Sequence, residues 1–169
     1  NNYFLIIVDA HSKWLEVVPM TTISSSSTIN VLMSMFTRYG LCDEIVSDNG
    51  TQFSSEEFSD FCVRHGIRHT RTTPGHPQSN GQAERYVDTV KSALLKGTSD
   101  GGNLLMVLNR FLFRYRATPH ATTNISPAEL FLKREFKTVL DFLRPNSHDL
   151  SLKSRERYEK NFNQHTSAR

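Results

Sequence analysis

The spacing of apolar residues divides the first part of the chain into short strands. Residues 3–9 are apolar up to a final aspartate and predict a buried strand, and residues 14–20 predict a second one. The tight turn between them makes the pair a hairpin. Two further strands are predicted at residues 44–47 and 67–72.

Helical periodicity fills the intervals between these strands. The serine run at residues 24–27 predicts the N-cap of a first helix, which Gly40 ends. Ser54 and Glu57 have the spacing of a capping box and predict the start of a second helix, which ends at Gly66.

The second half of the chain is predicted to be helical around one loop. Two prolines and two glycines within residues 74–81 predict that loop. A long helix follows at residues 82–96 and stops at Gly97, and residues 103–116 form another amphipathic helix. Ser126, which precedes a proline, caps a last short helix.

The order β-β-α-β-α-β-α-α predicts a mixed α/β fold, because strand–helix–strand crossovers favour parallel pairing. Large apolar residues of the predicted helices are assigned to the core or to a subunit interface. They are Met33, Phe36, Val90, Leu94, Leu108, Phe111 and Leu112.

Composition indicates the broad class of protein. The chain has 169 residues, 37% hydrophobic and 22% charged, which suits one globular domain. No apolar run is long enough to cross a membrane. Cys42 and Cys62 are too few for a disulfide framework, so we expect a reducing compartment.

Charge is distributed unevenly along the chain, whose formal net charge is +3. Residues 1–132 hold 11 Lys/Arg and 12 Asp/Glu, whereas residues 133–169 hold 9 and 5. We therefore expect a domain at residues 1–132 and a basic linker or tail after it, with a polar helix or linker at residues 155–162. The positive charge is a weak indication of a polyanionic partner.

Three acidic residues occupy positions from which a carboxylate can act. Asp9 and Asp48 each end a predicted strand, and Glu84 lies in the first turn of the long helix, with 35 residues between it and Asp48. A turn role for Asp48 and a helix-dipole role for Glu84 are the simpler interpretations. Converging carboxylates would, however, bind Mg²⁺, and Lys91 on the same helix face would meet a phosphate.

Four separated sequence blocks decide between these interpretations. Residues 45–53 and 73–85 resemble the second and third catalytic blocks of the retroviral and gypsy-type retrotransposon integrases, including the spacing from Asp48 to Glu84. Residues 8–14 resemble the hairpin of the gypsy group, and residues 117–130 resemble its late helical region. The resemblance covers about residues 3–132 and is specific because the blocks occur in the family's order.

The resemblance implies a ribonuclease-H-like fold with a five-stranded mixed sheet flanked by helices. Asp48 and Glu84 match metal-binding catalytic carboxylates, which hold Mg²⁺ or Mn²⁺, two ions in the complete site. The implied reaction joins the DNA ends of an element to target DNA. The positions expected to contact DNA are Asn49, His76, Gln78, Asn80, Arg85 and Lys91.

One departure from the family pattern concerns the first catalytic aspartate. In the family it lies on a strand before the hairpin, whereas Asp9 lies at the hairpin turn, with only 38 residues between it and Asp48. We therefore assign Asp9 a turn-capping role and keep catalysis as its less favoured alternative. The chain is expected to lack the family's first strand, which is central in the sheet.

The resemblance also implies DNA partners, a homodimer or higher multimer, and a location in the host nucleus or in intracellular element particles. No membrane association is expected. A zinc site is not expected either, although Cys62, His65 and His69 have ligand-like spacing. The alternatives are a catalytically dead or domesticated nucleic-acid-binding module with the same fold, and a ribonuclease H.

Overall fold

The computed structural model describes residues 3–72, 77–99, 101–134, 136–139 and 141, with the backbone alone described for 77–84. The predicted helix or linker at 155–162 and most of the basic tail lie outside these residues. No helix in the described part of the chain is long and apolar enough to cross a membrane.

In the described part of the chain, four strands form two separate sheets. The strands β1 (Tyr3–Val8) and β2 (Leu15–Met20) pair antiparallel, with Tyr3 opposite Met20, which confirms the hairpin. The strands β3 (Glu44–Ser47) and β4 (Arg68–Arg71) pair parallel, as expected for strands joined through helices. Among the described residues each strand therefore has one edge without a strand partner, and the single five-stranded sheet of the family is not formed.

Six helices accompany the strands within the ranges that the structure describes, and side-chain caps fix the start of most of them. They are α1 (Ser25–Tyr39), α2 (Thr51–Ser54), α3 (Glu56–Arg64), α4 (Pro77–Ser99), α5 (Leu104–Ala117) and α6 (Pro127–Leu132). The side chains of Ser24, Asn103 and Ser126 accept hydrogen bonds from backbone N–H groups in the first turns, as predicted for Ser24 and Ser126.

The predicted capping box at Ser54 is wrong by one residue. Ser55 is the N-cap of α3, and its side chain accepts a hydrogen bond from Phe58 N. Ser54 instead ends the short helix α2, where its hydroxyl donates to Gly50 O at 3.2 Å. The two serines are equivalent as local signals, so the extra turn of α2 decided which one caps α3.

The predicted bounds of the long helix are also wrong at both ends. α4 begins at Pro77, not at residue 82, since proline fits the first turn of a helix, where an N–H is not needed. It also continues through Gly97 to Ser99. A Cβ at Gly97 would overlap the side chain of Val107 on α5. This glycine therefore permits close packing of two helices and does not end one.

Two hydrophobic clusters hold the fold together. The first packs α4 and α5 on the β1–β2 sheet; its buried members are Leu15, Val17, Val90, Leu94, Leu108 and Leu112. The second packs α1 and α3 near the β3–β4 sheet; its buried members are Leu32, Phe58, Phe61, Cys62 and Ile67. Phe36 and Phe111 pack at the edges of these clusters, whereas Met33 is 38% exposed.

A buried ion pair joins β2 to α5. Arg116 Nη2 lies 2.9 Å from Glu16 Oε2, and both side chains are largely buried. Glu16 Oε1 accepts hydrogen bonds from Trp14 Nε1 (3.0 Å) and Tyr39 Oη (2.7 Å), so α1 is joined as well. Arg116 also donates to Leu15 O and lies over the Trp14 ring. These bonds offset the cost of burying two charges.

Breaking this pair from one side is expected to destabilise the fold strongly. Arg116→Met would leave Glu16 buried without its cation, which costs about 3–5 kcal/mol of unfolding free energy. Arg68→Met, which removes the exposed partner of Glu44, should cost less than about 1 kcal/mol. Urea unfolding of both variants measures the difference, and equal losses would contradict the stabilising role of the buried pair.

The close contact at Gly97 gives a second prediction. Gly97→Ala should lower the thermal midpoint although alanine favours helix formation, because the new methyl group meets Val107. Adding Val107→Ala should recover stability relative to Val107→Ala alone, since the smaller side chain makes room. The measurement is the thermal midpoint of the parent chain, the two single variants and the double variant. Additive changes in this midpoint would refute the contact between Gly97 and Val107.

Candidate active site

Asp48 lies directly after β3, at the carboxyl end of the strand. Its side chain is exposed, and Oδ1 accepts a hydrogen bond from Gly50 N at 2.9 Å. Gly50 in turn precedes α2. The carboxylate is thus fixed by the turn and turned toward solvent, so the turn role and a ligand role are compatible. Carboxylate oxygens are donors that Mg²⁺ prefers, and this group fits such an ion.

The loop that carries Asp48 is attached to the end of β4. Asn49 Nδ2 donates to Thr72 O at 2.8 Å, and Thr72 N donates to Ser47 O at 2.9 Å. Ser47, which is buried, has its hydroxyl hydrogen-bonded to His69 Nε2 at 2.9 Å. The position of Asp48 is therefore set by the β3–β4 pair, and the amide of Asn49 is occupied in part by the backbone.

His69 and Thr72 are positioning residues that the sequence did not reveal. His69 is half-buried against Phe58, with ring centroids 4.9 Å apart. Burial, followed by the nearby charge of Arg71, lowers the pKa of His69 below its ordinary value. The sequence placed it in the predicted strand at residues 67–72, but the parallel register that puts Ile45 opposite His69 cannot be derived from one sequence.

Asp9 is engaged in the hairpin turn. Its Oδ2 accepts hydrogen bonds from Ser12 N (2.7 Å) and Ser12 Oγ (2.5 Å), and its backbone closes the turn with Lys13 and Trp14. Ser12 is 1% exposed, so this arrangement is part of the packed fold. The geometry supports the turn-capping role that we assigned to Asp9.

The remaining predicted site residues lie on or before α4. Arg85 and Lys91 are exposed on this helix, and Asp88 is exposed between them, whereas Val90 is 1% exposed. The predicted polar and apolar faces of α4 are thus confirmed for its described side chains. The backbone of Gln78, Asn80 and Glu84 is helical, their side chains lie outside the description, and so does all of His76.

The position of α4 is set by its contacts with β1 and α5. Tyr86 and Val90 pack into the cluster that includes Val8. Tyr86 meets Tyr115 of α5 edge to face, with centroids 6.4 Å apart, and Tyr115 Oη donates to Lys13 O at 3.0 Å. α4 is therefore held against β1 and α5 from Tyr86 onward, and Glu84 is the eighth residue of the helix, beyond the first turn that was predicted for it.

Within the described residues, no three His, Cys, Asp or Glu side chains lie close enough to hold a metal ion. For the zinc-like spacing, Cys62 is buried in the cluster of α1 and α3. His65 Nδ1 is hydrogen-bonded to Phe61 O at 2.8 Å, and His69 to Ser47. These contacts give each of the three side chains a role in packing or hydrogen bonding.

Comparison with known proteins identifies the family. Residues 1–77 match the family model of the integrase core domain, a range that contains Asp48 and ends before Glu84. Residues 1–77 thus belong to the integrase core domain family. Two of the four blocks that carried the resemblance, residues 8–14 and 45–53, lie entirely within this match.

Two relatives of this integrase core are much longer proteins. An uncharacterized protein of Caenorhabditis elegans is 39% identical over 164 residues, which cover 96% of this chain and 13% of that protein. The Gag-Pol polyprotein of Walleye dermal sarcoma virus is 34% identical over 140 residues, which cover 81% of this chain and 8% of the polyprotein. The chain therefore spans a small part of each.

The fold is that of solved integrase cores. The HTLV-2 integrase catalytic core domain in complex with magnesium is 22% identical to this chain in its trimeric form and 23% identical in its dimeric form. In its trimeric form it superposes with a TM-score of 0.64 over 77% of this chain and 84% of that chain. This confirms the ribonuclease-H-like class expected from the sequence.

The low pKa of His69 predicts a pH dependence of stability. The fold favours neutral His69, so its contribution to stability is complete above about pH 6.5 and is lost as the pH falls through the folded pKa. Unfolding free energy should therefore decrease between about pH 7.5 and pH 5, and His69→Gln should reduce this decrease. His11→Gln, at an exposed position, is the control, and an equal effect there would refute the assignment.

Proposed function

We propose that this chain is the catalytic core of an integrase that joins the ends of an element's DNA to target DNA by phosphodiester transfer. The observation that carries the proposal is the exposed carboxylate of Asp48, fixed by Gly50 N at the carboxyl end of β3. Family membership and the spacing to Glu84 on α4 support it.

In this proposal Asp48 and Glu84 are the catalytic carboxylates and hold Mg²⁺ or Mn²⁺, two ions in the complete site. The magnesium in the HTLV-2 core domain supports this choice of ion. When bound, such ions activate the attacking oxygen and stabilise the leaving oxygen of a phosphodiester. The protein's own contribution is to place the carboxylates from a strand end and a helix, which are rigid elements.

DNA is the proposed substrate, and Asn49, His76, Gln78, Asn80, Arg85 and Lys91 are its proposed contacts. The exposed cations Arg85 and Lys91 on α4 would meet backbone phosphates, which position a strand without reading its sequence. Asn49 Oδ1 is a further polar atom at the site, since its Nδ2 is already bonded to Thr72 O. Self-association into a dimer or higher multimer and a nuclear location are part of the same proposal.

The first carboxylate of the family has no assigned counterpart in this chain. Asp9 is bonded to Ser12 at the hairpin turn, and the edges of the two sheets have no strand partner among the described residues. A catalytically dead nucleic-acid-binding module with the same fold is therefore the second candidate. It keeps DNA binding and needs no metal.

A Mn²⁺-dependent disintegration assay on branched DNA separates these candidates. The chain is compared with a version extended upstream by a strand ending in aspartate. Asp48→Asn and Glu84→Gln should each reduce the active form by at least about a hundredfold, since metal-based stabilisation is worth several kcal/mol. Asp9→Asn is the matched control and should retain activity, because an amide oxygen still accepts from Ser12 N.

Each contrary outcome has a definite meaning. If Asp9→Asn abolishes activity while circular dichroism shows an intact fold, Asp9 is the third carboxylate and our register is wrong. If neither form is active although both bind DNA, the chain is a binding module and the proposed enzyme function is refuted.

A further inference from the structure

The face formed by α5 and the segment after α6 combines aromatic and cationic side chains that the proposed active site does not use. Phe113, Arg134, Phe136 and Lys137 line a cavity of about 580 Å³. Phe113 is 43% exposed, and Arg134 and Lys137 are exposed as well. We call these four residues the basic–aromatic surface.

The aromatic rings of this surface are positioned by contacts with each other and with the buried Trp14. Phe113 meets Phe136 edge to face, with centroids 5.5 Å apart at 81°. Phe136 in turn lies 6.1 Å from Trp14, which is 4% exposed and stacks on Phe131 at 5.0 Å. The aromatic wall is thus an extension of the core to the surface, and a flat partner would meet rings that are already ordered.

The charge around these rings has one dominant sign. Residues 101–141 hold six Lys/Arg and three Asp/Glu, of which Glu135 lies outside the described residues. Arg116 is paired with Glu16, which leaves five exposed cations: Arg110, Arg114, Lys133, Arg134 and Lys137. Arg110 lies one helical turn before Phe113, so the cationic field extends along α5. An anionic partner is the one that this field attracts.

We propose that the basic–aromatic surface binds single-stranded DNA, with an unstacked base on Phe113 and adjacent phosphates at Arg134 and Lys137. Ordered rings beside cations are the combination that binds a single strand, because every base offers a flat face and every linkage a negative charge. Duplex DNA keeps its bases stacked, so the rings add nothing to duplex binding. The choice of DNA as the polynucleotide rests on the proposed function.

Fluorescence anisotropy with the full 169-residue chain tests this, using labelled oligothymidylate and a duplex of equal length in EDTA. Phe113→Leu should weaken single-strand binding at least about fivefold and leave duplex binding unchanged. The double variant Arg134→Gln/Lys137→Gln should weaken both. Its plot of log affinity against log salt should lose roughly 0.7 of slope for each single-strand phosphate contact removed.

Matched variants control for net charge and for loss of a ring. Arg38→Gln/Arg64→Gln removes two exposed cations from α1 and α3, and Tyr3→Leu removes a ring that is 38% exposed. Both should leave single-strand affinity within about twofold of the parent chain, as expected where no phosphate or base is contacted. Thermal melts confirm that every variant is folded.

Two outcomes would overturn the proposal. They are a loss in Arg38→Gln/Arg64→Gln equal to that in Arg134→Gln/Lys137→Gln, or an unchanged single-strand affinity in Phe113→Leu. If the affinity is unchanged but the molar mass of Phe113→Leu in solution changes, the surface is an interface between copies of the chain. Since the assay contains no metal, its result is independent of strand transfer, and the two proposals can fail separately.

Discussion

The hydrogen-bonded ion pair between Glu16 and Arg116 is the interaction on which the rest of the architecture depends. It joins β2 to α5 directly, and through Tyr39 it also holds α1. Two charges can be buried there because Trp14 and the backbone of Leu15 complete their hydrogen bonds. α5 thereby becomes the fixed support for α4, against which it packs closely at Gly97.

The two candidate carboxylates belong to parts of the fold that pack around different hydrophobic clusters. Asp48 belongs to the β3–β4 pair, whose surroundings are the cluster of α1 and α3. Glu84 belongs to α4, which is held by the cluster of β1, β2 and α5. Two metal ligands on different elements keep a fixed distance only if those elements do not move relative to each other.

Sequence patterns predicted the local parts of the fold well. The hairpin, the strand before Asp48 and the caps at Ser24 and Ser126 were all confirmed, because each depends on residues a few positions apart. The family resemblance was confirmed for the same reason, since its blocks are contiguous stretches. For the site, the strand pattern correctly predicted Asp48 at a strand end, and the described faces of α4 followed the predicted periodicity.

Only the tertiary structure decided the contacts between residues that are distant in the chain. Ser54 and Ser55 are equal candidates as caps until α2 forms, and Gly97 ends a helix in isolation but continues one against Val107. The bond of His69 to Ser47 and the pairing of Glu16 with Arg116 likewise need the folded chain. By itself the sequence determined the elements, the family and the candidate carboxylates, because these are encoded in local order. Packing determined which polar side chains hold the elements together through hydrogen bonds and ion pairs. Burial and strand register exist only once the elements are in contact.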